Sequence, residues 1–115
     1  MAKTDSVFKI FTPSEWAAFS ASSVFKGSPL DIADGYIHLS AAPEMQGTLN
    51  KWYTSGDDVI VAEIDMARIK DSVKWEVSRG GAKFPHQYGA LTMDDILTQN
   101  VFTPNAEGRY EFDTK

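Results

Sequence analysis

Apolar and polar residues alternate along Val7-Phe8-Lys9-Ile10-Phe11, a run of β-forming types that predicts a strand. Thr12-Pro13-Ser14-Glu15 then carries a helix-start signature, with Thr12 as cap, Pro13 at the first helical position and Glu15 closing a capping box. The predicted helix carries Trp16 and Phe19 toward Ser22, and Gly27-Ser28-Pro29 stops any continuation. Residues 31–35 read as a polar turn, with Gly35 supplying a backbone conformation closed to other residues. A strand over residues 36–40 follows, in which Ile37 and Leu39 point one way and Tyr36, His38 and Ser40 the other. Pro43 opens a second helix to about Tyr53, with Met45, Leu49 and Trp52 or Tyr53 at helical spacing.

Ser55-Gly56-Asp57 is a turn signal, and the apolar run Val59-Ile60-Val61-Ala62 within residues 58–65 predicts a buried strand. One helical turn is expected around Met66 to Ile69. A strand over residues 73–78 places Val73, Trp75 and Val77 on one face and Lys74, Glu76 and Ser78 on the other. Residues 79–83 read as a flexible connection, and Phe84-Pro85-His86-Gln87-Tyr88-Gly89 as a loop stiffened by Pro85 and turned at Gly89. A helical turn at residues 93–96 and strands at 97–102 and 109–112 complete the chain. Helices come early and strands dominate later, without regular β-α-β alternation, so the fold class expected is α+β.

At 115 residues the chain is expected to form one domain over residues 1–115, with an ordered core at about 7–112. The 43% hydrophobic and 12% aromatic content argues for a packed globule. There is no cysteine, which excludes disulfides and thiolate chemistry. The N-terminus lacks the apolar core of a signal peptide and no apolar run is long enough to span a membrane, so a soluble, cytoplasmic protein without membrane partners is expected. A net charge of -5 weighs against binding long nucleic acid. Even so, Arg68, Lys70, Lys74, Arg79 and Lys83 fall within sixteen positions in which Asp71 and Glu76 are the only acidic residues. Such a strip reads either as a solvated face or as a feature suited to a small anionic ligand.

Both histidines lie in segments that look built for a site. His38 on a strand face, with Ser40 two residues on and Asp34 placed to orient it, fits a ligand-bonding histidine; a core histidine bonded to a backbone carbonyl is the alternative. Glu76 beside Trp75 fits a carboxylate that steadies a developing positive charge next to a ring, or else a strand-face glutamate paired with Lys74 or Arg79. The 84–89 loop either presents His86 and Tyr88 to a ligand or packs on the core as a lid. No metal-ligand spacing, no G-x-S-x-G and no phosphate-cradling glycine loop is present, so neither a metal nor a resident cofactor is expected.

With D-G-Y-I-H-L-S, then W-E, then G-G-x-x-F-P-H-x-Y-G in that order, the chain resembles the bacterial family known as domain of unknown function 952, over nearly its whole length. Tyr36 stands where that family usually has phenylalanine, and Gln87 where it usually has leucine. The resemblance implies an ADP-ribosyltransferase-like fold, a split mixed or antiparallel sheet with two main helices whose cleft holds NAD. It also implies roles: His38 bonds the nicotinamide ribose, Tyr88 or Tyr36 stacks on nicotinamide, and Glu76 stabilises the ribosyl cation.

The leading expectation is therefore a domain that binds NAD or a related nucleotide as substrate and transfers or hydrolyses ADP-ribose. His38, Glu76 and His86 are its catalytic candidates, and Asp34, Tyr36, Ser40, Arg79, Lys83 and Tyr88 its ligand-binding candidates. Two alternatives stand beside it: a phosphoesterase with His38 as base and His86 as acid, and a non-catalytic nucleotide-binding or interaction module.

Overall fold

The computed structural model describes residues 7–53, 56–77, 81 and 83–112, apart from the side chain of Trp52. The chain runs through β1 (Val7–Phe11), α1 (Pro13–Ser22), β2 (Val24–Phe25), α2 (Pro29–Asp34), β3 (Ile37–His38), β4 (Ser40–Ala41), α3 (Ala42–Trp52) and β5 (Val59–Ile64). It continues through α4 (Met66–Ile69), β6 (Val73–Val77), β7 (Lys83–Gln87), β8 (Leu91–Thr92), a 3-10 turn (Met93–Asp95) and β9 (Ile96–Phe102). The strands form three antiparallel sheets, ordered β4-β1-β5-β9, β2-β8 and β3-β7-β6. Among the described residues the protein is thus a mixed α+β domain with antiparallel sheets and four α-helices.

The four-stranded sheet carries apolar residues on both faces. Val7 and Phe11 of β1, with Ile60, Ala62 and Ile64 of β5, join Phe19, Phe25, Ile37, Leu39, Ile69 and Leu91 in one buried cluster. Ile10, Val59 and Val61 face the other way and pack with Met45 and Leu49 of α3 and with Tyr110. Thr12 caps α1 as its sequence indicates: its hydroxyl accepts from Glu15 N–H and the Glu15 carboxylate accepts from Thr12 N–H.

Four local expectations are corrected. The segment read as a polar turn at 31–35 is the helix α2, started by a second capping box in which Ser28 accepts from Asp31 N–H and Asp31 accepts from Ser28 N–H. It ends at Gly35, whose left-handed φ of 90° closes the last turn. The single strand expected over 36–40 is split at Leu39, so that Ile37 and His38 join one sheet and Ser40 and Ala41 another. The stiff loop expected from Phe84 is largely the strand β7, central in its sheet. Proline is tolerated there because its amide position faces away from β6 and lies across from Leu39, just past the end of β3 at His38, while its carbonyl still accepts from Leu39 N–H at 3.1 Å. Residues 109–112 form no strand; that segment packs by burying Tyr110, whose hydroxyl donates to the Asp57 carbonyl. The turn expected at Ser55 lies in part outside the described residues.

Phe11 is fully buried against Trp16, Phe19 and Phe25, with ring centroids 4.9–5.6 Å apart. Phe11→Ala should lower unfolding free energy by about 3–5 kcal/mol, read from the urea midpoint; a loss below about 1 kcal/mol would show that this aromatic cluster does not anchor the core.

Candidate functional site

One face of the β3-β7-β6 sheet collects the candidate chemistry because side chains alternate along each strand. His38 lies across from His86 and His86 across from Lys74, so these residues and Glu76 share a face, joined by Tyr36 and Tyr88 just outside the strands. Ile37, Leu39 and Pro85 point to the opposite side, where they are buried.

His38 is held by α2. Its Nδ1 lies 2.6 Å from Asp31 Oδ1, its main-chain N–H donates to the same oxygen at 3.1 Å, and its Nε2 lies 3.0 Å from Asp34 Oδ2. Asp31 is 2% exposed, and its second oxygen accepts from Lys9 Nζ at 3.0 Å. Burial by itself would raise the Asp31 pKa, but the Lys9 ammonium, the bond with His38 and the Ser28 N–H together hold it below the ordinary carboxyl value.

A second carboxylate organises the other half. Oε1 of Glu76 lies 2.7 Å from His86 Nδ1 and accepts from the Tyr88 hydroxyl at 2.7 Å. The bonds from Tyr88 and His86 lower the Glu76 pKa, and the same bond to Glu76 raises that of Tyr88 to about 12. Glu76 is therefore an anion and Tyr88 a protonated phenol throughout the neutral range. Tyr36 bridges the halves: its ring stacks on His86 at 4.0 Å and 18°, 4.8 Å from His38 and 5.4 Å from Tyr88. Beside Tyr36 a shallow concavity of about 410 Å³ is lined by Lys26, Ile32, Gln87 and Gly89 among others.

This arrangement offers two anchored carboxylate-histidine pairs and two phenol rings on one surface. The family model for proteins of unknown function DUF952 matches residues 10–99. The chain belongs to the DUF952 family. Three solved structures match it, all of protein CC0527 from Caulobacter crescentus. Its crystal structure and that of a double mutant each superpose with a TM-score of 0.87 at 35% identity, covering 92% of this chain and 93% of that one. The solution structure gives a TM-score of 0.82 at 35% identity over 91% and 90%. No functionally curated protein matches the chain.

Within this DUF952 surface the structure brings together His38, Asp34, Tyr36, Glu76, His86 and Tyr88. Ser40 is elsewhere, buried in the four-stranded sheet with its hydroxyl 3.3 Å from that of Thr48. Lys83 is exposed at the start of β7, and Arg79 lies outside the described residues. The basic strip is not one surface: Arg68 turns to Asp95 at 2.9 Å, whereas the Lys74 ammonium sits 5.0 Å from the centre of the Tyr88 ring. Two site residues escape a sequence reading, Lys9 and Asp31. The Ser28-Pro29-x-Asp31 capping signature was a usable sign for the second; nothing local marks Lys9. Among the described residues no group of three His, Cys, Asp or Glu could hold a metal ion, and no helix is long and apolar enough to cross a membrane.

A carboxyl whose folded pKa is depressed contributes stability that is complete above its unfolded pKa and is lost as pH falls through the folded one. Acid unfolding should therefore draw on Asp31 below its ordinary value of 3.8. Asp31→Asn should remove that part of the acid limb and lower stability near pH 7 by about 3 kcal/mol, because Lys9 is left buried without a counter-charge. Denaturant titrations at both ends of the range test this, and an unchanged acid limb would assign the protons elsewhere.

Proposed function

We propose that this surface binds the nicotinamide riboside end of NAD or a related nucleotide, and that Glu76 supports cleavage of the N-glycosidic bond. The observation that carries the reading is the Glu76 carboxylate, kept ionised by two donors and set among aromatic rings on the face that also holds His38. A carboxylate whose ionised form is favoured in this way suits stabilisation of positive charge better than proton donation. As the bond breaks, its electron pair leaves with nicotinamide, and the ribosyl oxocarbenium charge develops beside Glu76. Water or an acceptor hydroxyl then adds at the same carbon and releases a proton, giving hydrolysis or transfer of ADP-ribose.

His38, fixed through Nδ1 by Asp31, turns Nε2 toward Asp34. A ribose hydroxyl exchanging for Asp34 at Nε2 would find an oriented partner, and Tyr36 or Tyr88 gives a flat surface for a ring. Lys74 brings a cation to the same rim for the diphosphate.

The phosphoesterase alternative draws less support. His86 is 4% exposed, covered by Tyr36 and bonded to Glu76, which suits positioning that carboxylate more than protonating a leaving group.

Incubation with NAD should release nicotinamide, and Glu76→Gln should slow release on the order of 100-fold while leaving NAD binding by calorimetry within about threefold. Binding without release in the wild type would reduce the reading to a nucleotide-binding module. Absence of binding to NAD and ADP-ribose alike would overturn it.

A further inference from the structure

Glu76 stands on β6, and among the described residues β6 is an open edge of its sheet. Its main-chain directions follow from two hydrogen bonds. Tyr88 N–H donates to the Ser72 carbonyl at 2.8 Å, so Ser72 and Tyr88 form a hydrogen-bonded pair, and by alternation Lys74 with His86 and Glu76 with Phe84 do as well. Val73, Trp75 and Val77 fall between these pairs, and their amides point away from β7. Pro85, opposite Trp75, agrees: it has no N–H, and its carbonyl is turned to Leu39 on the far side.

The residues whose amides face the edge also supply its apolar side chains, with Trp75 44% and Val77 64% exposed. Edge strands are ordinarily blunted by shortness, by charged side chains, by a proline or by a bulge; the two charges of β6, Lys74 and Glu76, are of opposite sign and so do not by themselves repel an antiparallel copy of the strand. β6 contains no proline and keeps its register with β7 from Val73 to Val77. The strand is also complementary to itself read backwards. About a two-fold axis at Trp75, Val73 opposes Val77 of the partner subunit, Lys74 opposes Glu76 of the partner subunit, and the two Trp75 residues oppose each other.

We propose that two copies of this chain associate edge to edge through antiparallel pairing of β6, joining the two three-stranded sheets into one of six strands. Charge selects this register. A slip of two residues would set Lys74 against Lys74 of the partner subunit, and a slip of one would turn the apolar side chains to the wrong face. In the centred register Val73, Trp75 and Val77 all fall in hydrogen-bonded pairs, which adds about six main-chain bonds. Each Glu76 surface gains Lys74 of the partner subunit directly across from it. The paired segment is short beside a standard interface, so the dimer is reversible, with a dissociation constant roughly in the micromolar to millimolar range.

Sedimentation velocity of the wild-type protein from about 10 μM to about 1 mM, with residue-resolved amide exchange at both ends, tests the pairing. The expected result is a shift from monomer to dimer in which the amides of Val73, Trp75 and Val77 slow by at least about fivefold, while those of Lys74 and Glu76, already bonded to β7, do not change. Lys74→Glu should weaken the dimer about tenfold by opposing like charges, and mixing it with Glu76→Lys should restore a heterodimer. A monomer at every concentration overturns the proposal, as does a dimer whose three edge amides exchange at monomer rates. Should Glu76→Lys not fold, the wild-type exchange pattern decides alone. Nicotinamide release is measured separately, so the dimer and the nucleotide reading can fail independently.

Discussion

A lysine and an aspartate share the apolar interior of this domain, and each is tolerable there because of the other. Lys9, 7% exposed, points from β1 onto the core face between Val7 and Phe11, and its ammonium meets a carboxylate, Asp31, that is buried still more deeply. Removing either partner alone would strand a charge in low dielectric, which costs several kcal/mol, whereas replacing both by apolar residues need cost little. What the pair contributes is therefore position. Asp31 ties β1 to the start of α2 through Ser28 and to β3 through the main chain and ring of His38. The placement of α2, and with it Asp34, depends on this one buried group.

Glu76 works by a different balance. It is partly open to solvent and has no buried cation; its charge is maintained by two hydrogen-bond donors, His86 and Tyr88, that arrive from β7. Donors aimed at one oxygen favour the anion without neutralising it, so the carboxylate stays available to a positive group from outside. The two halves of the surface thus differ in kind. The Asp31 half is internally compensated and rigid, while the Glu76 half keeps uncompensated charge at an exposed strand edge.

Much of the fold is legible in short stretches of sequence. Thr12-Pro13-Ser14-Glu15 starts α1 because the cap needs four residues and no tertiary partner. The apolar run from Val59 makes β5, because a continuous apolar run suits a strand that is covered on both faces. The same local logic was available at Ser28-Pro29-Leu30-Asp31, yet a short helix of six residues is easily read as a turn. The strand at Phe84-Pro85-His86 was hidden for a different reason. Proline argues against a central strand unless its missing donor falls where no partner needs it, and that depends on the register with β3 and β6. The alternation of Val73, Trp75 and Val77 located a face correctly but could not show that the core ends before Trp75.

The sequence by itself determined the faces of β1, β5 and β6, the start of α1, and the placement of His38 and Glu76 on polar faces, since these follow from patterns within one chain segment. It also determined that Lys74 and Glu76 flank Trp75 symmetrically. Only the tertiary structure decided that His38, His86 and Glu76 converge, that Ser40 departs to another sheet, and that Lys9 enters the site from inside the core. These facts rest on pairings between segments far apart in the chain. Such pairings are selected by the combined burial of every apolar face at once, which no local pattern contains.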